Sequence, residues 1–108
     1  MKILFDTSTP RPIRRFLRGH QVIRMAELGW AALANGKLLT AAEEAGYDVL
    51  LTCDQSLRYQ QNFHGRRVAV VILSTNEWLV IRQKVARLES IVEFAQPGQV
   101  IFVDIKAL

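Results

Sequence analysis

The sequence predicts an α/β protein: a three-layer sandwich in which a mainly parallel five-stranded sheet carries helices on both faces. Short apolar runs alternate along the chain with segments of helical spacing, the pattern of a sheet assembled from strand–helix–strand units. One run, Val68–Leu73, is apolar without interruption, as a strand covered on both faces must be. At 108 residues the chain is near the commonest domain size. It is expected to form one domain over residues 1–108 and to bury about two-thirds of its unfolded surface.

Five strands are expected, at Lys2–Asp6, Gln21–Met25, Val49–Thr52, Val68–Leu73 and Val100–Val103. Between the first two, Arg11–Arg18 is a short helix: Pro12 suits a first turn, where the missing N–H costs nothing, and Gly19 suits the stop. Asn35 is placed to cap a second helix, Gly36–Ala45, whose Leu38, Leu39, Ala41 and Ala42 recur near helical spacing before Gly46 ends it. Gln55–Gln61 is a third helical turn, starting directly after Asp54. The longest helix is Glu77–Phe94, with a buried stripe of Leu79, Val80, Val85, Leu88, Ile91 and Val92, and Pro97-Gly98 turns the chain into the last strand. Right-handed crossovers and a strand order of 2-1-3-4-5 would put the reversal of order between strands one and three.

Half of the residues are hydrophobic and 22% are charged, which excludes a disordered or low-complexity chain. The single cysteine, Cys53, allows neither an internal disulfide nor a zinc site of several thiolates. The opening Met1–Asp6 holds an apolar run too short for a secretory leader or a membrane span, so a cytoplasmic protein with no membrane partner is expected. The net charge of +4 is unevenly spread: Arg11, Arg14, Arg15, Arg18 and Arg24 crowd one segment, and Arg58, Arg66 and Arg67 flank Asp54. Such a basic rim suits a phosphodiester backbone; a solvated helix face is the plainer use of the same residues.

Asp6 and Asp54 each follow directly on an apolar strand run. In an open parallel sheet, ligands bind in the crevice outside the carboxyl ends of the strands, where the order reverses. Neighbouring strands lie about 4.8 Å apart, so the two carboxylates can converge on one divalent cation. Mg²⁺ or Mn²⁺ fits, being hard ions that favour oxygen ligands. Taken singly, each aspartate equally suits the cap of a following helical turn. Glu27 follows the second strand and could lend a carboxylate; Glu43 and Glu44 suit an exposed helix end, and Asp104 follows a strand remote from the reversal. His20 and His64 lie in turns without a partner at ligand spacing, Cys53 suits packing, and Trp30 suits the edge of the core. No glycine-rich phosphate loop or dinucleotide fingerprint is present.

An ordered set of short motifs runs from Met1 to about Leu73: Met1-Lys2-Ile3-Leu4-Phe5-Asp6 with Pro10, Glu27-Leu28-Gly29-Trp30, Asn35-Gly36 with Leu38-Leu39 and Ala42, Leu51-Thr52-Cys53-Asp54, and Tyr59-Gln60-Gln61-Asn62. In this the chain resembles the small PIN-like domains, compact relatives of the PilT N-terminus nucleases and a group linked to the toxin halves of bacterial toxin–antitoxin pairs. The resemblance implies a Rossmann-like sheet and a metal-dependent ribonuclease, with RNA and a cognate antitoxin protein as partners and Mg²⁺ or Mn²⁺ as cofactor. Asp6 matches the family's first acidic residue and Asp54 the acid of its Thr-x-Asp motif, which makes them the catalytic pair and the metal ligands.

Where relatives often carry a second acid after the first, this chain has Thr7, and where an acid commonly opens the second helix it has Asn35, which ligates through a neutral carbonyl oxygen. Two aspartates hold one ion rather than the pair about 4 Å apart used in two-metal cleavage. Thr7 and the arginines Arg11, Arg14 and Arg15 are the expected contacts to the RNA backbone, with Tyr59 stacking on a base and Gln60 and Gln61 binding sugar or phosphate. The depleted acids keep a second reading open, a degenerate PIN-like domain that binds RNA or a protein partner without cleavage. A response-regulator-like module would share the strand order but lacks the paired acids and the lysine. The apolar residues of the last helix suit a homodimer as well as a core.

Overall fold

The computed structural model describes residues 1–59 and 65–108. Its strands are β1 (Lys2–Phe5), β2 (Gln21–Arg24), β3 (Val49–Thr52), β4 (Ala69–Leu73) and β5 (Val100–Val103). All neighbours pair in parallel, in the order β2-β1-β3-β4-β5. The expected order is thus found, and three strands are one residue shorter than expected, without Asp6, Met25 and Val68. Met25 instead begins a 3-10 turn, Met25–Leu28, that the sequence pattern did not suggest.

Side chains of a strand alternate between the two faces of its sheet, and here each face has its own core. Ile3, Phe5, Val49, Leu51, Ala69, Val71 and Leu73 pack with Ile13, Leu17, Ile81, Leu88 and Val92. Leu4, Leu50, Val70 and Ile72 pack on the opposite side with Met25, Leu38, Leu39, Ala42 and Leu57. This is the three-layer arrangement. β3 and β4 are buried along their whole length, at about 1.5–3 kcal/mol for each large apolar side chain removed from water, so the strand that carries Thr52 is fixed in place.

The α-helices are α1 (Asn35–Glu44), α2 (Trp78–Ile81) and α3 (Val85–Phe94). Three expectations change. The arginine-rich segment is a 3-10 turn over Arg11–Phe16 rather than a helix to Arg18, with Pro10 as a cap that makes no side-chain bond. The hydroxyls of Ser8 and Thr9, which could have capped it, turn towards Asp6. Asn35 is the first residue of α1 and not its cap; that place is held by Ala34, and the Asn35 amide reaches Ser56 instead. The long helix is interrupted at Arg82–Lys84, so Leu79 of the expected stripe is exposed and Ile81 enters the core.

Gly98 shapes the entry to β5. Its φ is +77°, and a Cβ there would stand 2.6 Å from the carbonyl oxygen of Arg66, so only glycine fits without a backbone shift. The steps from β2 to β3 and from β4 to β5 go the same way across the sheet, yet the first packs on the α1 face through Leu38, Leu39 and Ala42 and the second on the α3 face through Leu88 and Val92. They are therefore of opposite hand, and the expected right-handed rule holds for only one of them. Among the described residues no helix is long and apolar enough to cross a membrane.

Candidate functional site

The register pairs Phe5 with Leu51, so the next residues, Asp6 and Thr52, lie side by side where β1 and β3 end. Alternation points both to the face of Leu4 and Leu50, which is the face of α1. Asp6 is buried, 9% exposed, and a buried carboxylate must find hydrogen-bond donors. It finds four. Its Oδ1 accepts from the Ser8 backbone N–H at 3.2 Å, the Ser8 hydroxyl at 2.8 Å and the Thr9 hydroxyl at 2.8 Å, and its Oδ2 accepts from the Thr52 hydroxyl at 2.5 Å. Thr9 Oγ1 is also 2.7 Å from the Leu51 carbonyl, so its one hydrogen serves either acceptor in turn.

Two of these hydroxyls pass the interaction on. Ser8 Oγ accepts from the Cys53 N–H at 3.0 Å and Thr52 Oγ1 from the Asp54 N–H at 2.9 Å, so Asp6 organises two successive amides past the end of β3. Asp54 then starts the Gln55–Tyr59 turn: its Oδ1 accepts from the Ser56 N–H at 3.0 Å and the Ser56 hydroxyl at 2.7 Å. Gln55 pins this turn to the end of β4 through the Leu73 carbonyl, 2.6 Å away. Asn35 closes the set, its Nδ2 donating to Ser56 Oγ at 3.2 Å. Two short relays meet at Asp54: Asn35 donates to Ser56 and Ser56 to the Asp54 carboxylate, while the Asp54 backbone N–H donates to Thr52 and Thr52 to Asp6, and within each relay the shared hydroxyl couples its two hydrogen bonds.

Among the described residues no hydrogen bond is made to Asp54 Oδ2 or to Asn35 Oδ1, and Asp6 Oδ2 accepts only one. Two carboxylates and an amide carbonyl are hard oxygen donors, the ligand type that Mg²⁺ and Mn²⁺ take. No group of three His, Cys, Asp or Glu side chains is brought together among the described residues, so the charge of the crevice comes from two aspartates. The neighbouring Cys53 thiol is pushed up to about 12, first by burial, then by the charge of Asp6, with the Ser8 hydrogen bond opposing both. It is a packing residue rather than a nucleophile.

The other residues named from the sequence are dispersed. Thr7 is exposed. Arg11, Arg14 and Arg15 line a shallow groove of about 300 Å³ with Pro12 and Arg24, where Arg14 is already paired with the Glu27 carboxylate. Glu27 also accepts from the Arg24 N–H at 3.2 Å, and these two bonds hold its carboxyl below the usual range. It is therefore committed to arginine and not to the crevice. Tyr59 is 75% exposed, and its neighbour Arg58 lies 3.6 Å over the ring of Phe102 on β5, towards the far edge of the sheet. Gln60, Gln61, Asn62 and His64 lie outside the described residues. Glu43 bonds the Arg67 N–H, His20 bonds the amino terminus and Glu93, and Trp30 stands edge-on to Tyr47.

Sequence reasoning missed Thr52, and it read the hydroxyls of Ser8 and Thr9 as phosphate ligands or helix caps rather than as donors to Asp6. Thr52 was within reach: it ends its strand two residues before Asp54, and with the third strand expected beside the first, equal alignment of their ends puts it next to Asp6. A second surface was missed altogether. Arg15, Phe16, Arg18, Trp78, Arg82 and Gln83 line a groove of about 540 Å³ between the Arg11–Phe16 turn and α2. Compared with protein-family models, curated proteins and solved structures, the chain has no significant match.

Proposed function

We propose that this chain is a PIN-like, metal-dependent ribonuclease, acting as the toxin half of a toxin–antitoxin pair with a cognate antitoxin protein as its partner. The observation that supports the reading is the pair of hydrogen-bond relays, Asn35 through Ser56 to the Asp54 carboxylate and the Asp54 amide through Thr52 to Asp6, at the reversal of strand order. Asp6, Asp54 and Asn35 would hold Mg²⁺ or Mn²⁺. What such an ion supplies when bound is hydroxide at neutral pH and neutralisation of the charge developing on the phosphate. The chain's own residues do the rest. Ser8, Thr9 and Thr52 fix the Asp6 carboxylate, Ser56 fixes one oxygen of Asp54, and Arg11 and Arg15 draw the RNA backbone to the edge of the sheet.

One observation favours a second reading, a degenerate PIN-like domain that binds RNA or protein without cleaving: Asp6 Oδ1 already accepts three hydrogen bonds, which weakens it as a ligand. Incubation of the chain with labelled single-stranded RNA in Mn²⁺ or in EDTA separates the two. The nuclease reading expects cleavage in Mn²⁺ only, reduced in Asp54→Asn by more than the about 10–100-fold typical of outer-shell partners. Cleavage that survives EDTA, or survives loss of both aspartates, would remove it. No cleavage under any condition would leave the binding reading. In cells, expression of the chain alone is expected to slow growth, and Asp54→Asn to relieve it.

A further inference from the structure

The arginine-rich turn carries more charge than its folding needs. Arg11 and Arg14 stand three apart in a 3-10 turn, where such positions lie one above the other, and like charges so placed repel. Arg14 is relieved by Glu27; Arg11, Arg15, Arg18 and Arg82 make no ion pair among the described residues. Arg15 lines both grooves, so they adjoin at its side chain, and among the described residues no carboxylate is part of either lining, Glu27 being held beside the smaller one by Arg14 and the Arg24 backbone. One end lies at Arg24, paired in register with Phe5, and so at the carboxyl edge that holds Asp6. Further along, the rings of Phe16 and Trp78 stand 5.7 Å apart, inclined at 37°, with Phe16 43% exposed. A large aromatic left at the surface among unpaired guanidinium groups has no use in the core.

We propose that this surface is a track for single-stranded RNA, with phosphates on Arg15, Arg18 and Arg82 and a base stacked on the Phe16–Trp78 pair. Phosphates alone would be served by the arginines. The aromatic pair adds what an unpaired base offers and a duplex hides, a free π-face. An acidic peptide would satisfy the arginines but leave the rings without a partner. The proposal rests on the reading of RNA as substrate, and it adds that the substrate is single-stranded and that it is held well beyond the crevice.

The test is fluorescence anisotropy of a labelled twelve-nucleotide single-stranded RNA with the full chain, in EDTA, from about 50 to 200 mM salt. Three or four phosphate contacts give a slope of log K against log salt of about −2 to −3. Arg18→Ala combined with Arg82→Ala is expected to flatten that slope by about 1.4, at about 0.7 per contact. Phe16→Ala is expected to weaken binding about 5- to 150-fold with the slope unchanged. Phe16→Leu, which keeps apolar bulk, should lose affinity in the same way and guards against a folding defect. Lys37→Ala removes a positive charge from the α1 face and should alter neither quantity.

An unchanged slope in the arginine variant, unchanged affinity in both Phe16 variants, duplex RNA bound as tightly as single strands, or poly-glutamate competing as well as unlabelled RNA would each overturn the track. Because EDTA is present throughout, failure here leaves cleavage at Asp6 and Asp54 untouched. A chain that binds in this way but never cleaves in Mn²⁺ would keep the track and end the nuclease reading.

Discussion

The crevice at the ends of β1 and β3 and the arginine groove beside it are both polar, yet they are built on opposite terms. At the crevice a buried carboxylate is met by four donors, and its hydroxyl partners pass order on to Cys53 and Asp54. In the groove four guanidinium groups, those of Arg11, Arg15, Arg18 and Arg82, make no ion pair among the described residues and surround an exposed ring. Hydrogen bonding inside the protein satisfies the first, whereas the second stays unsatisfied until something anionic arrives. Loss of a crevice hydroxyl should therefore show first in stability, and loss of a groove arginine in RNA binding.

The largest departure from that contrast would come from Thr52→Val. It removes one donor to Asp6 and the acceptor for the Asp54 amide, and should cost about 1–3 kcal/mol, read as a fall in Tm of about 4–8 °C per kcal/mol. Thr52→Ser keeps the hydroxyl and should recover most of the loss. If the valine variant melts with the wild type, the network is ornamental and the contrast collapses.

Next comes alkaline pH. The Cys53 thiol beside the crevice holds its proton up to about 12 in the fold, against 9 for the free group. The Tyr47 phenol is raised too, by burial first and then by Glu27. The folded state thus binds more protons than the unfolded one above about pH 9, so the stability these groups contribute is intact below that pH and is lost as it rises. Thermal melts across pH 8 to 11 should show this decline, and Cys53→Ala should lessen it. A flat profile in the wild type would contradict the burial ascribed to both groups.

Groove substitutions should be gentle on stability. Arg18→Ala or Arg82→Ala should shift unfolding by no more than about 0.5 kcal/mol, towards higher stability where repulsion is relieved. Smallest of all is Glu27→Gln, which should free Arg14 for phosphate and steepen the salt dependence of RNA binding by about 0.7. Its effect on melting should vanish below the carboxylate range, since the pairing contributes above the free value of 4.5 and is lost as pH falls.

What the sequence made legible follows the same division. Uninterrupted apolar runs located β3 and β4, because burial on both faces leaves no other composition for a strand. The order reversal and the two aspartates at its edge could be read from the strand ends. Helical continuity was less legible: the stripe through Glu77–Phe94 does not encode the interruption at Arg82–Lys84, and Ser8 and Thr9 look like caps until Asp6 competes for them. The groove was the least legible part, since Phe16 and Trp78 are more than sixty residues apart and only tertiary packing brings their rings together.

The central claim is that Asp6 and Asp54 share one cation, and titration calorimetry with Mn²⁺ tests it most directly. The wild-type chain should bind one ion, and Asp6→Asn and Asp54→Asn should each abolish that binding while remaining folded by circular dichroism. Full Mn²⁺ affinity in either folded variant, or no binding in the wild type, would contradict it.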